Sequence, residues 1–344
     1  MMKYWKMAVA LGCAALGAVQ GAAAQEALKL KVASFVPETH HVAMQGTTYW
    51  MDQVRETLGD AVEFEYYPAQ QAGKAAQLLE LLKAGALDVV EVGIGYHTDK
   101  LPLMGVLEMP GLVRNACEGA YALRSMSDPG GLIQTNDLAP LGVRPLSYLV
   151  FPPYSAITRV PVRSLDDFDG LKLRTAGGAM ELEVSTLGGV PVKMSSPDIY
   201  QSLSRGTLDG VMFTYLSTDQ YDLNDVANYG VTGYGFASTA VLLLMTEQRL
   251  QSLPEDVRAA FLEAGVATDD NYCSFVDENE AATRDELVAN GFEVHEFSEE
   301  EVARLDEMLT VVSEDWTSTL DRRGKPGSEA LETFRGKLTE ARGE

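Results

Sequence analysis

The sequence predicts an α/β protein built as two lobes, and three observations carry that prediction. Segments of strand and helix period alternate through residues 28–94, the same order recurs through residues 171–215, and a helical run of about 40 residues follows Leu253. Strands and helices alternating at this spacing define βαβ units and a largely parallel sheet. Two such units, set apart by Pro152-Pro153, make two lobes, and one helix of that length can brace both.

In the first unit, Leu28-Lys-Leu-Lys-Val-Ala-Ser-Phe35 opens with the alternation of apolar and polar residues that marks a half-buried strand. A helix is expected over residues 42–58, stopped by Gly59-Asp60. Residues 61–67 alternate again, residues 74–84 have helical spacing ahead of Gly85, and residues 88–94 form the third strand. In the second unit, residues 171–176 are a strand, Gly177-Gly178 opens a helix to about Leu187, and residues 190–194 are a strand. Residues 197–205 are then a helix and residues 210–215 the closing strand. Leu253-Pro-Glu-Asp starts the long helix, and residues 292–297 form a strand. Ser298-Glu-Glu-Glu is a capping box, in which a serine and the glutamate three residues on satisfy each other's free amides, so a last helix follows it.

At the N-terminus, Lys3 and Lys6 precede an apolar run over residues 7–19 and small residues ending Ala22-Ala23-Ala24 before Gln25. This is the layout of a secretory signal peptide cleaved after Ala24. The run of about 13 residues falls short of the roughly 20 that a spanning helix needs. Residues 1–24 are therefore expected to leave an exported, periplasmic chain, reducing 344 residues to 320. A competing lipoprotein reading would acylate Cys13, but the apolar run ahead of that cysteine is only about six residues.

The chain carries a formal charge of −23, and the leader, with two lysines and no acid, leaves −25 behind. So negative a balance argues against nucleic acid and anionic membrane as partners, because both reward Lys and Arg. It gives a solubilising surface, and one that would complement a basic mouth on a membrane protein. Cys117 and Cys273 are the cysteines of the mature chain. In an oxidising compartment they can pair, but 156 positions of separation leave open whether their Cα atoms come within reach.

Arg174 ends the strand Gly170-Leu-Lys-Leu-Arg-Thr-Ala-Gly-Gly178. An arginine there points its planar fork toward the crevice where α/β sheets bind ligands, and the fork can hold a carboxylate through two parallel hydrogen bonds. Taken alone, the pattern describes a surface arginine on an edge strand more often. Gly177 and Gly178 could offer helix amides to an anion, but without G-x-G-x-x-G or a Walker-type lysine nucleotide binding is not expected. His40, His41, His97 and His295 have no zinc-ligand spacing, so no metal and no cofactor are expected. His97, beside Tyr96 after the third strand, stands where ligands bind, or in a solvated loop. Phe35, Tyr96, Phe151, Tyr154, Phe213, Tyr215, Tyr234 and Phe236 gather at strand ends, about half of them as core and the rest as walls of an apolar pocket. No G-x-S-x-G, His-Glu metal motif or Cys with a base partner is present, so the chain is not expected to be an enzyme.

Asp166-Asp-Phe-Asp-Gly-Leu-Lys-Leu-Arg174 is followed by Leu187-Gly-Gly-Val-Pro-Val192, Asp198-Ile-Tyr-Gln-Ser-Leu203 and Gly206-Thr-Leu-Asp-Gly210. Their order and spacing resemble the solute-binding subunits of TRAP (tripartite ATP-independent periplasmic) transporters. Tyr67-Pro-Ala-Gln-Gln-Ala-Gly73 and Leu82-Lys-Ala-Gly-Ala-Leu-Asp88 agree with the same family, so the resemblance spans most of the mature chain. An ABC-type binding protein would share the lobes but lack the segment from 166 to 210.

The resemblance implies a two-lobed periplasmic binding protein type II-like fold with a long bracing helix. It also implies two integral membrane permease subunits as partners, driven by an ion gradient. One lobe is expected from residues 25–151 with about 239–278, the other from 152–238 with about 279–344, and the ligand cleft between them. On this resemblance Arg174 is the anchor of a small organic carboxylate, with Tyr154, Phe213, Phe35, Tyr96, His40, Gln71 and Tyr234 around it. Many members carry a second arginine where this chain has Tyr154 and an asparagine where it has Phe213. Trading donors for flat apolar walls disfavours sialic acid, sugar acids and C4-dicarboxylates, and favours a monocarboxylate with an apolar or aromatic body, or a 2-oxo acid. A C4-dicarboxylate receptor of the same family and a ligand-sensing subunit are the alternatives. The stretch after Arg323 is short and interrupted by Gly324 and Pro326, so a monomer is expected.

Overall fold

The computed structural model describes residues 27–344, and the leader expected over residues 1–24 lies outside the described residues. The first part of the chain runs β1 (Leu28–Ala33), α1 (Thr48–Leu58), β2 (Val62–Tyr67), α2 (Leu78–Lys83), β3 (Val89–Gly93), α3 (Ala116–Ser127), the short α4 (Ala139–Leu141) and β4 (Val143–Val150). The second follows as β5 (Ser155–Thr158), β6 (Lys172–Thr175), α5 (Ala179–Thr186), β7 (Val190–Lys193), α6 (Ile199–Ser204), β8 (Gly210–Phe213), α7 (Tyr215–Gln220) and β9 (Tyr229–Thr232). The chain then returns through β10 (Ala240–Thr246), α8 (Glu247–Gln251), the 35-residue α9 (Glu255–Ala289), β11 (Glu293–Glu296), α10 (Glu299–Arg322) and α11 (Gly327–Arg342).

Two sheets result, in the orders β2-β1-β3-β10-β4 and β11-β9-β5-β8-β6-β7. Both are mixed rather than largely parallel. The βαβ units keep β2, β1 and β3 parallel, as they do β7, β6 and β8, but β10 inserts antiparallel between β3 and β4 and β5 antiparallel between β8 and β9. Each exception is a strand that arrives after the chain has crossed between sheets, so no crossover helix dictates its direction.

Helix α9 connects the two halves, and its side chains mark where it passes from one to the other. Asp269 takes an ion pair from Arg124 on α3 and accepts hydrogen bonds from Ser147 Oγ and the Tyr148 amide, both at 2.7 Å. Gly265 lets the helix lie against β4, since a Cβ there would overlap the Leu146 carbonyl. A disulfide joins Cys273 to Cys117 with Cα atoms 4.8 Å apart. Asp277 accepts from the amides of Ala116 and Cys117, which begin α3. One turn on, Glu280 accepts from the amides of Tyr215 and Leu216, which begin α7 in the other half. A carboxylate placed on a helix N-terminus satisfies its free N–H groups and meets the positive end of its dipole.

The expected capping box forms at Ser298, whose Oγ accepts from the Glu301 amide. The terminal segment departs from expectation. Residues 327–342 form a continuous helix that leaves the second half and packs along α3, where Arg342 pairs with Glu118 and donates to the Leu112 carbonyl. Gly324, at φ 72°, turns the chain between α10 and α11 and does not end helical structure. Among the described residues no helix is long and apolar enough to cross a membrane.

Candidate functional site

Between the sheets lies a small crevice at the carboxyl ends of β3, β6 and β8.

Arg174, on β6 between β8 and β7, is the sole Arg or Lys of the described residues lining it. Its side chain is locked in place. Nε donates to the Met194 carbonyl at 2.8 Å, Nη2 reaches the Tyr96 hydroxyl at 3.4 Å, and Cζ stands 5.5 Å from the Phe213 ring centroid. Only 1% of the residue is exposed, Nη1 has no hydrogen-bond partner, and no carboxylate of the described residues lies within ion-pair distance. A buried guanidinium without a counter-ion is costly, and an incoming anion relieves that cost.

Two further donors face the same space. Tyr96 accepts from the Ser196 amide at 3.0 Å as well as from Arg174, which leaves its own hydroxyl proton to donate. His40 receives the Val42 N–H on Nδ1 at 3.2 Å, while its buried Nε2 has no partner. Burial pushes the His40 imidazole down to about 3 and His41 well below its ordinary value, so both rings are neutral at physiological pH.

Much of the remaining wall is aromatic, and with His41 behind it the rings close on themselves. His40, His41, Phe151, Tyr154, Phe213 and Tyr221 form a circuit in which successive ring centroids lie 4.3–6.2 Å apart. Most neighbours meet edge to face or tilted, the arrangement ring quadrupoles favour. Burial raises the Tyr154 hydroxyl above its usual range against the pull of Arg174, so it stays protonated and neutral.

The two halves meet tightly around this cavity. The His41 amide donates to Gln220 Oε1 at 2.7 Å, and its Nε2 stands 3.0 Å from Ser217 Oγ. Glu108, wholly buried, accepts from the Ala179 amide at the start of α5 at 2.8 Å, and within the second half Glu183 accepts from the Ala237 amide at 3.0 Å. Burial holds Glu108 up at about 8 and Glu183 well above the usual carboxylate range. The seam is lined by glycine. Gly177 and Gly178 have φ of 117° and 68°, and a Cβ on Gly178 would overlap Glu108 Oε2.

Of the residues expected here, Arg174, Tyr154, Phe213, Phe35, Tyr96 and His40 line the cavity together, and Gln71 and Tyr234 do not. Gln71 is exposed in the turn after β2, its amide bonded back to the Pro68 carbonyl. Tyr234 follows β9 but turns outward over Gly111 toward Asp306. His97 is buried outside the cavity lining. Tyr215, expected as wall or core, is core, its hydroxyl donating to the Val231 carbonyl. The sequence reading missed Ser217 on α7, Tyr221 just after it and Ser196 in the turn before α6, none of which has a local signature. Among the described residues no group of three His, Cys, Asp or Glu side chains is placed to hold a metal ion.

Two α/β halves closed over a small cavity at their strand ends, with a bracing helix between them, define a two-lobed solute-binding protein. Residues 33–319 match the family model described as bacterial extracellular solute-binding protein, family 7. The chain belongs to this family, the solute-binding receptors of TRAP transporters.

It is 28% identical over 288 residues to the C4-dicarboxylate-binding periplasmic protein DctP of Rhodobacter capsulatus, covering 79% of this chain and 81% of the relative. A TRAP solute-binding protein of Rhodoferax ferrireducens, solved with copurified benzoate, superposes with a TM-score of 0.84 at 24% identity, covering 91% of this chain and 98% of that one. A marine metagenome TRAP solute-binding protein specific for aromatic acid ligands, solved with metahydroxyphenylacetate, gives 0.85 at 23% identity, covering 91% and 99%. Members of the family are periplasmic, bind small organic acids and work with membrane permease subunits; they are transport receptors and not enzymes.

Proposed function

We propose that this receptor captures a monocarboxylate with an aromatic or apolar body, a 2-oxo acid included, and that Arg174 anchors its carboxylate. The observation that carries the reading is the unpaired Nη1 of a fully buried Arg174 in a cavity lined by seven rings and by small or aliphatic residues. A carboxylate seated there gains charge-assisted hydrogen bonds in a water-excluded site, where they are stronger than in the open form. Binding thereby favours the closed arrangement. Tyr96 supplies the second donor, and Phe35, Tyr154, Phe213 and Tyr221 enclose the ligand body.

The benzoate-bound relative and the relative specific for aromatic acids support this reading. The dicarboxylate-binding relative favours a second one, a C4-dicarboxylate receptor. Against it, no second Arg or Lys of the described residues lines the cavity, so a second carboxylate would be buried without a charge partner. We further propose that the chain is exported with cleavage after Ala24, acts as a monomer and delivers its ligand to two integral permease subunits. The division into residues 25–151 with 239–278 and 152–238 with 279–322 is part of the proposal, with α11 returned to the first lobe. Calorimetric titration of the mature protein tests the ligand class. Benzoate-type or branched 2-oxo acids should bind and succinate should not, and tight succinate binding with no response to the former would overturn the reading.

A further inference from the structure

We infer that His40 is a specificity-determining residue that requires a second hydrogen-bond acceptor on the ligand, set apart from the carboxylate. The inference rests on the monocarboxylate reading above. The Val42 N–H donates to Nδ1, so Nδ1 must present a lone pair, and in a neutral imidazole the proton then resides on Nε2. That Nε2–H is buried and unpartnered. The ring itself is held between His41 and Tyr221, with centroids 4.3 and 4.8 Å away. A buried donor without an acceptor is costly, and in a cavity whose walls are largely carbon the ligand is the group that can supply one.

The carboxylate seat already has its donors. Arg174 offers Nη1 and the second proton of Nη2, and Tyr96 offers its hydroxyl proton. All belong to one end of the cavity, tied to Met194 and Ser196 just after β7. The Tyr221 side chain runs from this seat to His40, its hydroxyl 2.9 Å from Ser196 Oγ and its ring tilted against the His40 imidazole with centroids 4.8 Å apart. An oxygen one ring's breadth from the carboxylate would reach the His40 donor. The ligand class this selects is a cyclic or aromatic monocarboxylate bearing a hydroxyl, oxo or ether oxygen on its body.

The test is calorimetric titration with benzoate, meta- and para-hydroxybenzoate and the matching toluates, which replace the hydroxyl by a methyl of similar size. The wild-type protein should bind at least one hydroxybenzoate about tenfold or more tighter than its toluate. His40→Phe should erase that preference, lowering hydroxybenzoate affinity about tenfold more than toluate affinity, and His40→Gln, which restores a donor, should recover part of it. No preference in the wild type, or a preference that survives His40→Phe, overturns the inference. So does an equal loss for hydroxybenzoate and toluate, which would assign His40 to the carboxylate. Failure of every acid to bind would overturn the monocarboxylate reading itself, whereas binding abolished by Arg174→Gln for all acids alike leaves that reading standing. Should His40→Phe not fold, nitrogen-15 spectra of the wild-type histidines decide. A protonated Nδ1 on His40, or an Nε2–H that responds identically to hydroxybenzoate and toluate, contradicts the inference.

Discussion

Replacing Arg174 by methionine keeps most of the side-chain volume and removes the guanidinium. In the liganded protein this leaves a carboxylate buried at a site with no other cation, since Arg174 is the sole Arg or Lys of the lining. Truncating one partner of a buried charge pair costs about 2–5 kcal/mol, roughly 30- to 5,000-fold in Kd. Tyr96 remains as a donor, which places the expectation near the middle of that range. Without ligand the balance differs. The substitution gives up the bonds to Met194 O and Tyr96 but also removes a buried charge that has no counter-ion. These effects oppose one another, so the unliganded protein should change in stability by no more than about 1–2 kcal/mol. Arg174→Lys, which keeps the charge and loses the planar fork, should fall between wild type and methionine. Calorimetry reads the affinity, and thermal melts with and without ligand read the stability. Affinity within threefold of wild type, or a loss explained by unfolding of the unliganded variant, would refute the anchoring role.

Gly178→Ala places a Cβ against Glu108 at a backbone φ of 68° that only glycine adopts readily, so the seam between the lobes should not close fully. Ligand affinity should fall by about tenfold or more and solution scattering should report a more open particle; an unchanged affinity contradicts the seam. Stability should peak in mildly acid solution. Burial raises Glu108 from 4.5 to about 8, and Glu91 and Glu280 from 4.5 to about 7, so the folded protein keeps protons that the unfolded chain has lost and stability falls as pH rises through that window. His40, lowered from 6.5 to about 3, acts in the other direction, because the unfolded chain takes up its proton first and stability falls below pH 6.5. A melting temperature that climbs steadily from pH 6 to 8 would contradict these assignments. Replacing Cys117 and Cys273 together by serine opens a cross-link over 156 residues, with a loss approaching about 5 kcal/mol in the chain-entropy model. Melting should drop while the affinity of the folded fraction holds, because neither cysteine lines the cavity.

The strands β1, β2 and β3 and the long helix were legible because their periodicity is local: alternation in Leu28–Ala33, a proline-led start and continuous helix formers after Leu253. Strand β10 was not. Ala-Val-Leu-Leu-Leu-Met is buried almost throughout, which erases alternation, and its antiparallel place between β3 and β4 depends on partners about 100 to 150 positions away. Helix α11 was obscured by Gly324 and Pro326, which punctuate the sequence as a terminator would but here serve as a turn and a helix start. At the site, Arg174 was readable through its segment. Its lack of a counter-ion was not, since that is a property of the whole cavity. Strand-end position grouped Phe35, Tyr96 and Tyr154 correctly yet misplaced Tyr234, because the direction a loop takes after its strand is set by what it packs against, here Gly111 and Asp306. Tyr221 had no local mark at all: it follows α7, whose start is held by Glu280 on α9, and meets Ser196, His40 and Phe213 only in the folded protein.

The central claim, an aromatic-walled receptor for one carboxylate, is tested most directly by what the protein carries when purified from its own periplasm. Mass spectrometry of the small molecules released on denaturation should find a near-stoichiometric monocarboxylate with an aromatic or apolar body, absent from the Arg174→Met variant. Recovery of a C4-dicarboxylate, or of a ligand with no carboxylate, would contradict the account.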